Sequence, residues 1–162
     1  MVMKIVFNTS PLIFLTRLEI LADFLTQPGE FYVPQAVADE ILAKEDDASR
    51  ALQIIFATQQ LNTQPIQTIL FANTLNQRLG RGESEAITLA LELNADYIIL
   101  DDFAARREAS RLGLKVKGTL AIAKKLQQDG KITLDNIDEF YQRLIEIGFR
   151  VKRSIFDEIF NQ

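Results

Sequence analysis

The sequence predicts an α/β protein with a mostly parallel central sheet covered by helices on both faces. Three observations carry this expectation. Short apolar stretches such as KIVF, FYVP and YIIL alternate along the chain with longer segments of helical periodicity. The strand candidates are nearly continuous in apolar residues, as strands buried on both faces are. No repeat, low-complexity tract or linker interrupts the 162 residues, enough for one domain with a sizeable core. One domain is therefore expected over 1–162, with 134–162 as a C-terminal helical extension.

Taken in order, KIVF (4–7) is a short buried strand, stopped by the break signal NTSP. SPLIFLTRLEILADFL (10–25) has helical spacing and room for two helices, and QPGE (27–30) is a turn. FYVP (31–34) is a second strand, after which Pro34 serves as a first-turn residue for a helix over 35–44. A further helix covers 45–59, with acids at its start. LNTQPIQ (61–67) is a strand candidate, and TILFANTLNQRL (68–79) is a helix ending at Gly80. RGESEAITLALELNA (81–95) is an amphipathic helix leading into the strand YIIL (97–100). A helix over 102–114 closes at Gly113, KVKG (115–118) is a short strand, and a helix over 119–130 closes at Gly130. Two last helices fall in 134–148 and 154–162. Ile155, Phe156, Ile159 and Phe160 recur there at helical spacing; they either pack on the body of the domain or form a partner face.

Composition narrows the chemistry. There is no cysteine and no histidine, which excludes disulfides, a thiol nucleophile, Ser-His-Asp catalysis and zinc sites built on Cys or His. Oxygen ligands remain, and these suit hard cations such as Mg²⁺ or Mn²⁺. The net charge of −4 argues against nucleic-acid binding driven by bulk charge, while leaving room for a local basic patch. No apolar run is long enough to span a membrane, and MVMKIVFNTS lacks the features of a signal peptide. A soluble cytoplasmic protein is expected.

Ligands of parallel sheets bind beyond the carboxyl ends of the strands. Asn8 follows KIVF there, and Asp101 and Asp102 follow YIIL. In the helix after FYVP, Val37 and Ile41 share a face, Glu40 stands at its border and Asp39 points away. In RGESEAITLALEL, Glu83 falls on the arc of Ile87, Ala90 and Leu91, whereas Glu85 and Glu92 lie opposite. Each group has a plain structural reading as well. Glu40 can be a solvated border residue, Glu83 a first-turn acid favoured by the helix dipole, and Asn8 a turn former. Either aspartate of the pair can cap the next helix. One cap needs one residue, so the second carboxylate is left for a cation to neutralise.

KIVFNTSPLIFL, FYVPQAVADEIL, LGRGESEAITLALELNADYIILDD and ARREASRLGLKVKGTLAIAKK together resemble the PIN-domain nucleases. Within that family the resemblance is to the small VapC-like toxin ribonucleases and to a subgroup of predicted nucleic-acid-binding proteins. It implies a three-layer α/β/α sandwich whose acidic pocket binds Mg²⁺ or Mn²⁺ and hydrolyses RNA. Carried over by position, the acids are Glu40, Glu83 (with Glu85 as fallback), Asp101 and Asp102, and the small hydroxyl is Ser10 or Thr9. Aspartate normally opens the first motif, but Asn8 stands here, bringing a dipole where the pattern has a full charge. Weaker metal binding and slower turnover, or loss of activity, are expected. Metal ligands would be Asn8, Glu40, Glu83, Asp101 and Asp102, with substrate gripped by Thr9, Ser10, Arg81 and Arg106. Arg78, Arg107, Lys115 and Lys117 also lie near these motifs, with solvated helix faces as the plain alternative. The partners implied are RNA, an antitoxin protein and, because PIN-like domains often pair, a second copy. The rival reading is a catalytically silent module that binds RNA or protein.

Overall fold

The computed structural model describes residues 2–160. The elements run β1 (Lys4–Phe7), α1 (Thr9–Arg17), α2 (Leu21–Leu25), β2 (Glu30–Pro34), α3 (Gln35–Leu42), α4 (Asp47–Ala57), β3 (Asn62–Gln64) and α5 (Ile69–Leu75). They continue with α6 (Arg81–Leu93), β4 (Tyr97–Ile99), α7 (Phe103–Arg111), β5 (Val116–Lys117), α8 (Thr119–Gln128), α9 (Ile137–Glu146) and α10 (Arg153–Phe160). Every strand pair in the sheet is parallel, in the order β3-β2-β1-β4-β5. The expected α/β/α layering is what forms.

Alternation along the strands divides the interior in two. Ile5, Phe7, Phe31, Val33 and Ile99 face a core completed by α1, α2, α3, α4, α8, α9 and α10. Val6, Ile98 and Leu100 face the other way, against α5, α6 and α7. Phe156 and Phe160 belong to the first core; Phe156 is fully buried, with its ring 4.7 Å from Phe160 and 5.0 Å from Tyr141. Two of the four apolar residues of the last helix thus pack on the body, Ile159 packs partly against it, and Ile155 is exposed. Asn161 and Gln162, included in the expected last helix, lie outside the described residues.

Three local readings are corrected. Pro34 is the last residue of β2, paired with Gln64, and the N-cap of α3, at φ −73° and ψ 164°. Its ring-fixed φ is compatible with extended backbone, so it closes the strand before the helix begins. The strand candidate at 61–67 shrinks to three residues at the sheet edge, because Pro65 has no N–H to extend the ladder. The helix expected over 68–79 stops at Leu75, and Gly80 instead opens α6 as its N-cap.

The topology places the site. From β1 the chain winds outward through β2 to β3, then crosses back to β4 on the opposite flank of β1. The carboxyl ends of β1 and β4 therefore flank a reversal of winding, where connecting helices diverge and leave a crevice. Among the described residues no helix is long and apolar enough to cross a membrane.

Candidate functional site at the carboxyl edge of the sheet

Asn8 follows β1 directly, and its backbone N–H bonds Ile99 O at 3.1 Å, so it is fixed against the end of β4. It is only 6% exposed. Thr9, buried beside it, donates its hydroxyl to Glu40 Oε2 at 2.7 Å. That bond draws α3 to the end of β1. Gly82, in the first turn of α6, completes the corner. A β-carbon there would overlap Glu40 Oε1 and lie 3.4 Å from Asn8 Oδ1. The glycine thus leaves a small hollow that one carboxylate oxygen, Glu40 Oε1, enters and one amide oxygen, Asn8 Oδ1, borders.

Glu83 is next along α6. Its Oε1 accepts the Gly80 N–H at 3.0 Å, which is half of a capping box, since glycine has no side chain to reciprocate. Burial pushes its carboxyl above the usual range, against the pull of the Gly80 N–H, and the nearby charges of Asp102 and Glu40 push the same way. Glu40, Glu83 and Asp102 therefore share one electrostatic neighbourhood.

The paired aspartates diverge. Asp102 caps α7, accepting the Ala105 N–H on Oδ2 at 3.0 Å. Asp101 turns to the start of α8: Thr119 N–H bonds its Oδ1 at 2.8 Å and Thr119 Oγ1 its Oδ2 at 2.6 Å. Arg106 donates to Leu100 O at 2.8 Å. Arg106 Nη1 and Asp101 Oδ1 both crowd Gly118, at 2.7 and 3.0 Å from where a β-carbon would stand. Burial raises the Asp101 carboxyl, while the Thr119 bonds and Arg106 draw it down. The carboxylate expected to be left over thus has a protein partner, a cap supplied to a second helix from 18 residues away.

Glu85 also departs from expectation. The helical arc put it opposite the core, yet it is only 9% exposed, accepting the Ala36 N–H at 3.1 Å and pairing with Arg81 at 3.3 Å. Helix α6 is packed by α3, α5 and the sheet together, so it has little free face. Glu85 caps α3, and Arg81 is held to it rather than to the hollow. Ser10 is exposed, as is Asp39, which accepts from Gln35 at 2.9 Å. Lys117 lies over the Tyr97 ring at 5.1 Å, toward the amino end of β4.

Among the described residues no three Asp or Glu side chains gather closely enough to hold a metal ion by themselves. The donors still fit Mg²⁺, which commonly takes one or two carboxylates and keeps several waters. Asn8 Oδ1 and Glu40 Oε1 meet at Gly82, and the Glu83 and Asp102 carboxyls lie within hydrogen-bond reach of each other nearby.

The fold and this corner define a doubly wound α/β protein with an oxygen-rich, partly acidic hollow at its winding reversal. The model of the PIN-domain family matches residues 4–162, nearly the whole chain, and the protein belongs to that family. Its fold is of nuclease type, which supports a hydrolase in coarse terms. No curated protein matches the chain.

Proposed function

We propose that the protein is a divalent-metal-dependent ribonuclease hydrolysing RNA phosphodiesters at the hollow beside Gly82. The observation that carries this reading is the approach of Asn8 Oδ1 and Glu40 Oε1 to one point above α6, with Glu83 and Asp102 close by. Asn8, Glu40, Glu83 and Asp102 would hold Mg²⁺ or Mn²⁺. A bound ion of this kind would supply a Lewis acid that stabilises charge on the phosphodiester and lowers the pKa of water.

The chain's own residues do the rest. Thr9 fixes the Glu40 carboxylate by holding Oε2, which leaves Oε1 toward the hollow. Gly80 N–H holds Glu83 Oε1. With its carboxyl raised, Glu83 retains a proton to higher pH than a free glutamate, and that proton must leave before the group can ligate. Asp101 positions the start of α8 by accepting from Thr119 on both of its oxygens.

A second reading is favoured by two observations: Asn8 lacks the charge of an aspartate, and Asp101 is engaged by Thr119 on both oxygens. These suit a catalytically silent module that binds RNA. One experiment separates the two. Purified protein, Glu40→Gln and Asn8→Asp are each given single-stranded RNA with Mg²⁺ or Mn²⁺. Cleavage that falls in Glu40→Gln and rises in Asn8→Asp supports the enzyme. RNA bound but uncut by all three supports the silent module. Toxin function rests on the resemblance to VapC-like proteins, and arrest of growth on expression, relieved by a co-expressed partner, tests it.

A further inference from the structure

Phe103 is a large apolar residue that neither the core nor the hollow explains. It follows Asp102 at the first position of α7 and is 74% exposed. Arg107, one turn on, places its guanidinium 5.8 Å from the Phe103 ring centre, within cation–π range. The ring borders a cleft of about 790 Å³ lined by Arg78, Arg106, Arg107 and Arg111 against one acid, Glu108. Glu108 is shared between Arg78 at 3.1 Å and Arg111 at 2.5 Å. Four guanidinium groups around one carboxylate make a local positive surface on a chain whose net charge is −4. The cleft adjoins the hollow through Asp102, which lies close to Glu83 and directly precedes Phe103.

An exposed aromatic ring beside arginines that outnumber their one acid suits one kind of ligand. Unpaired nucleobases stack on aromatic rings while cationic side chains track the phosphates, whereas bases inside a duplex have their faces already covered. We propose that Phe103 is a stacking platform for an unpaired base, and that the α7 cleft carries a single-stranded nucleic acid into the hollow. This rests on the nucleic-acid reading of that site and adds the residue that selects single strands.

The test measures binding without metal, in EDTA, so that it does not depend on cleavage. The chain has no tryptophan, so a single-stranded oligoribonucleotide containing 2-aminopurine reports stacking against a dark background. The wild type is expected to bind it with quenching and to bind the matching duplex more weakly. Phe103→Ala should weaken binding by about 5- to 150-fold and abolish the quench. Phe103→Trp should retain affinity, and its single new tryptophan should be quenched by the strand. Arg107→Gln should weaken binding and flatten its salt dependence. Thermal melts confirm folding, and Phe103→Trp gives an independent reading should the alanine variant fail to fold. Equal affinity and quench in Phe103→Ala, or no single-strand binding by the wild type, overturns the proposal. Cleavage with no stacking signal sinks the platform and spares the hydrolase; stacking with no cleavage does the reverse.

Discussion

Replacing Gly82 by alanine puts a methyl group where Glu40 Oε1 now lies, and 3.2 Å from its Cδ. Glu40 is exposed at its tip and can swing away, but Thr9, 5% exposed, cannot follow. A buried hydroxyl that loses its acceptor costs about 1–3 kcal/mol. Alanine in place of glycine within a helix returns about 0.8–1.0 kcal/mol. The metal-free protein should therefore lose about 0–2 kcal/mol, or at most about 8 °C in Tm for a chain of this size. The decisive arm adds cation. At one hundred times its Kd, Mn²⁺ would stabilise the wild type by about 2.7 kcal/mol, raising Tm by roughly 5–11 °C. Gly82→Ala displaces an oxygen from the hollow and should show little of that rise. Differential scanning fluorimetry with EDTA and with graded Mn²⁺ makes the comparison. An alanine variant with the full Mn²⁺ response would refute a cation site at Gly82.

The raised carboxyl of Glu83 means that the folded protein holds a proton there which the unfolded chain releases near the ordinary value of 4.5. Its contribution to stability is thus most favourable below 4.5 and is lost as pH rises through the folded value. In EDTA, Glu83→Gln should gain stability relative to wild type between pH 4 and 7, and a difference in Tm that stays constant or shrinks would refute this. Phe156→Ala empties a fully buried ring site between Phe160 and Tyr141 and should cost about 3–5 kcal/mol in a urea melt. A loss below about 1 kcal/mol would mean that α10 is dispensable to the core.

The layers of the fold were legible because buried parallel strands are short and apolar while the helices between them keep a 3.6-residue period. Asn8 and Glu40 were legible as neighbours of a common edge, because both follow strands in a parallel sheet. What periodicity could not show was a helix packed on more than two sides. Glu85 lies opposite Ile87 on an ideal wheel, yet α3 covers that flank and offers an unpaired backbone N–H for it to accept. The aspartate pair misled for a related reason. Capping by Asp102 is local and readable from sequence, but capping by Asp101 reaches across to Thr119 and depends on β5 lying beside β4. Phe103 carried a signal that went unread: a large apolar side chain in the first turn of a helix, between two acids and two arginines, has no route into a core.

Asn8 joins these threads. It is nearly buried, and its Oδ1 shares the Gly82 corner with Glu40 Oε1. A carboxylate in its place would add charge to a corner where Glu40 and Asp102 already press on Glu83, and like charges at close range are relieved chiefly by a cation. Asparagine avoids that repulsion, so on the proposed reading the metal-free fold should be more stable with it and its affinity for a cation lower. Asn8→Asp should therefore change sign with conditions: a lower Tm than wild type in EDTA and a higher one in Mn²⁺. No residue that merely shapes the turn after β1 would reverse in this way. A shift of the same sign in both buffers would reduce Asn8 to a turn former and remove the hollow's amide donor from the site.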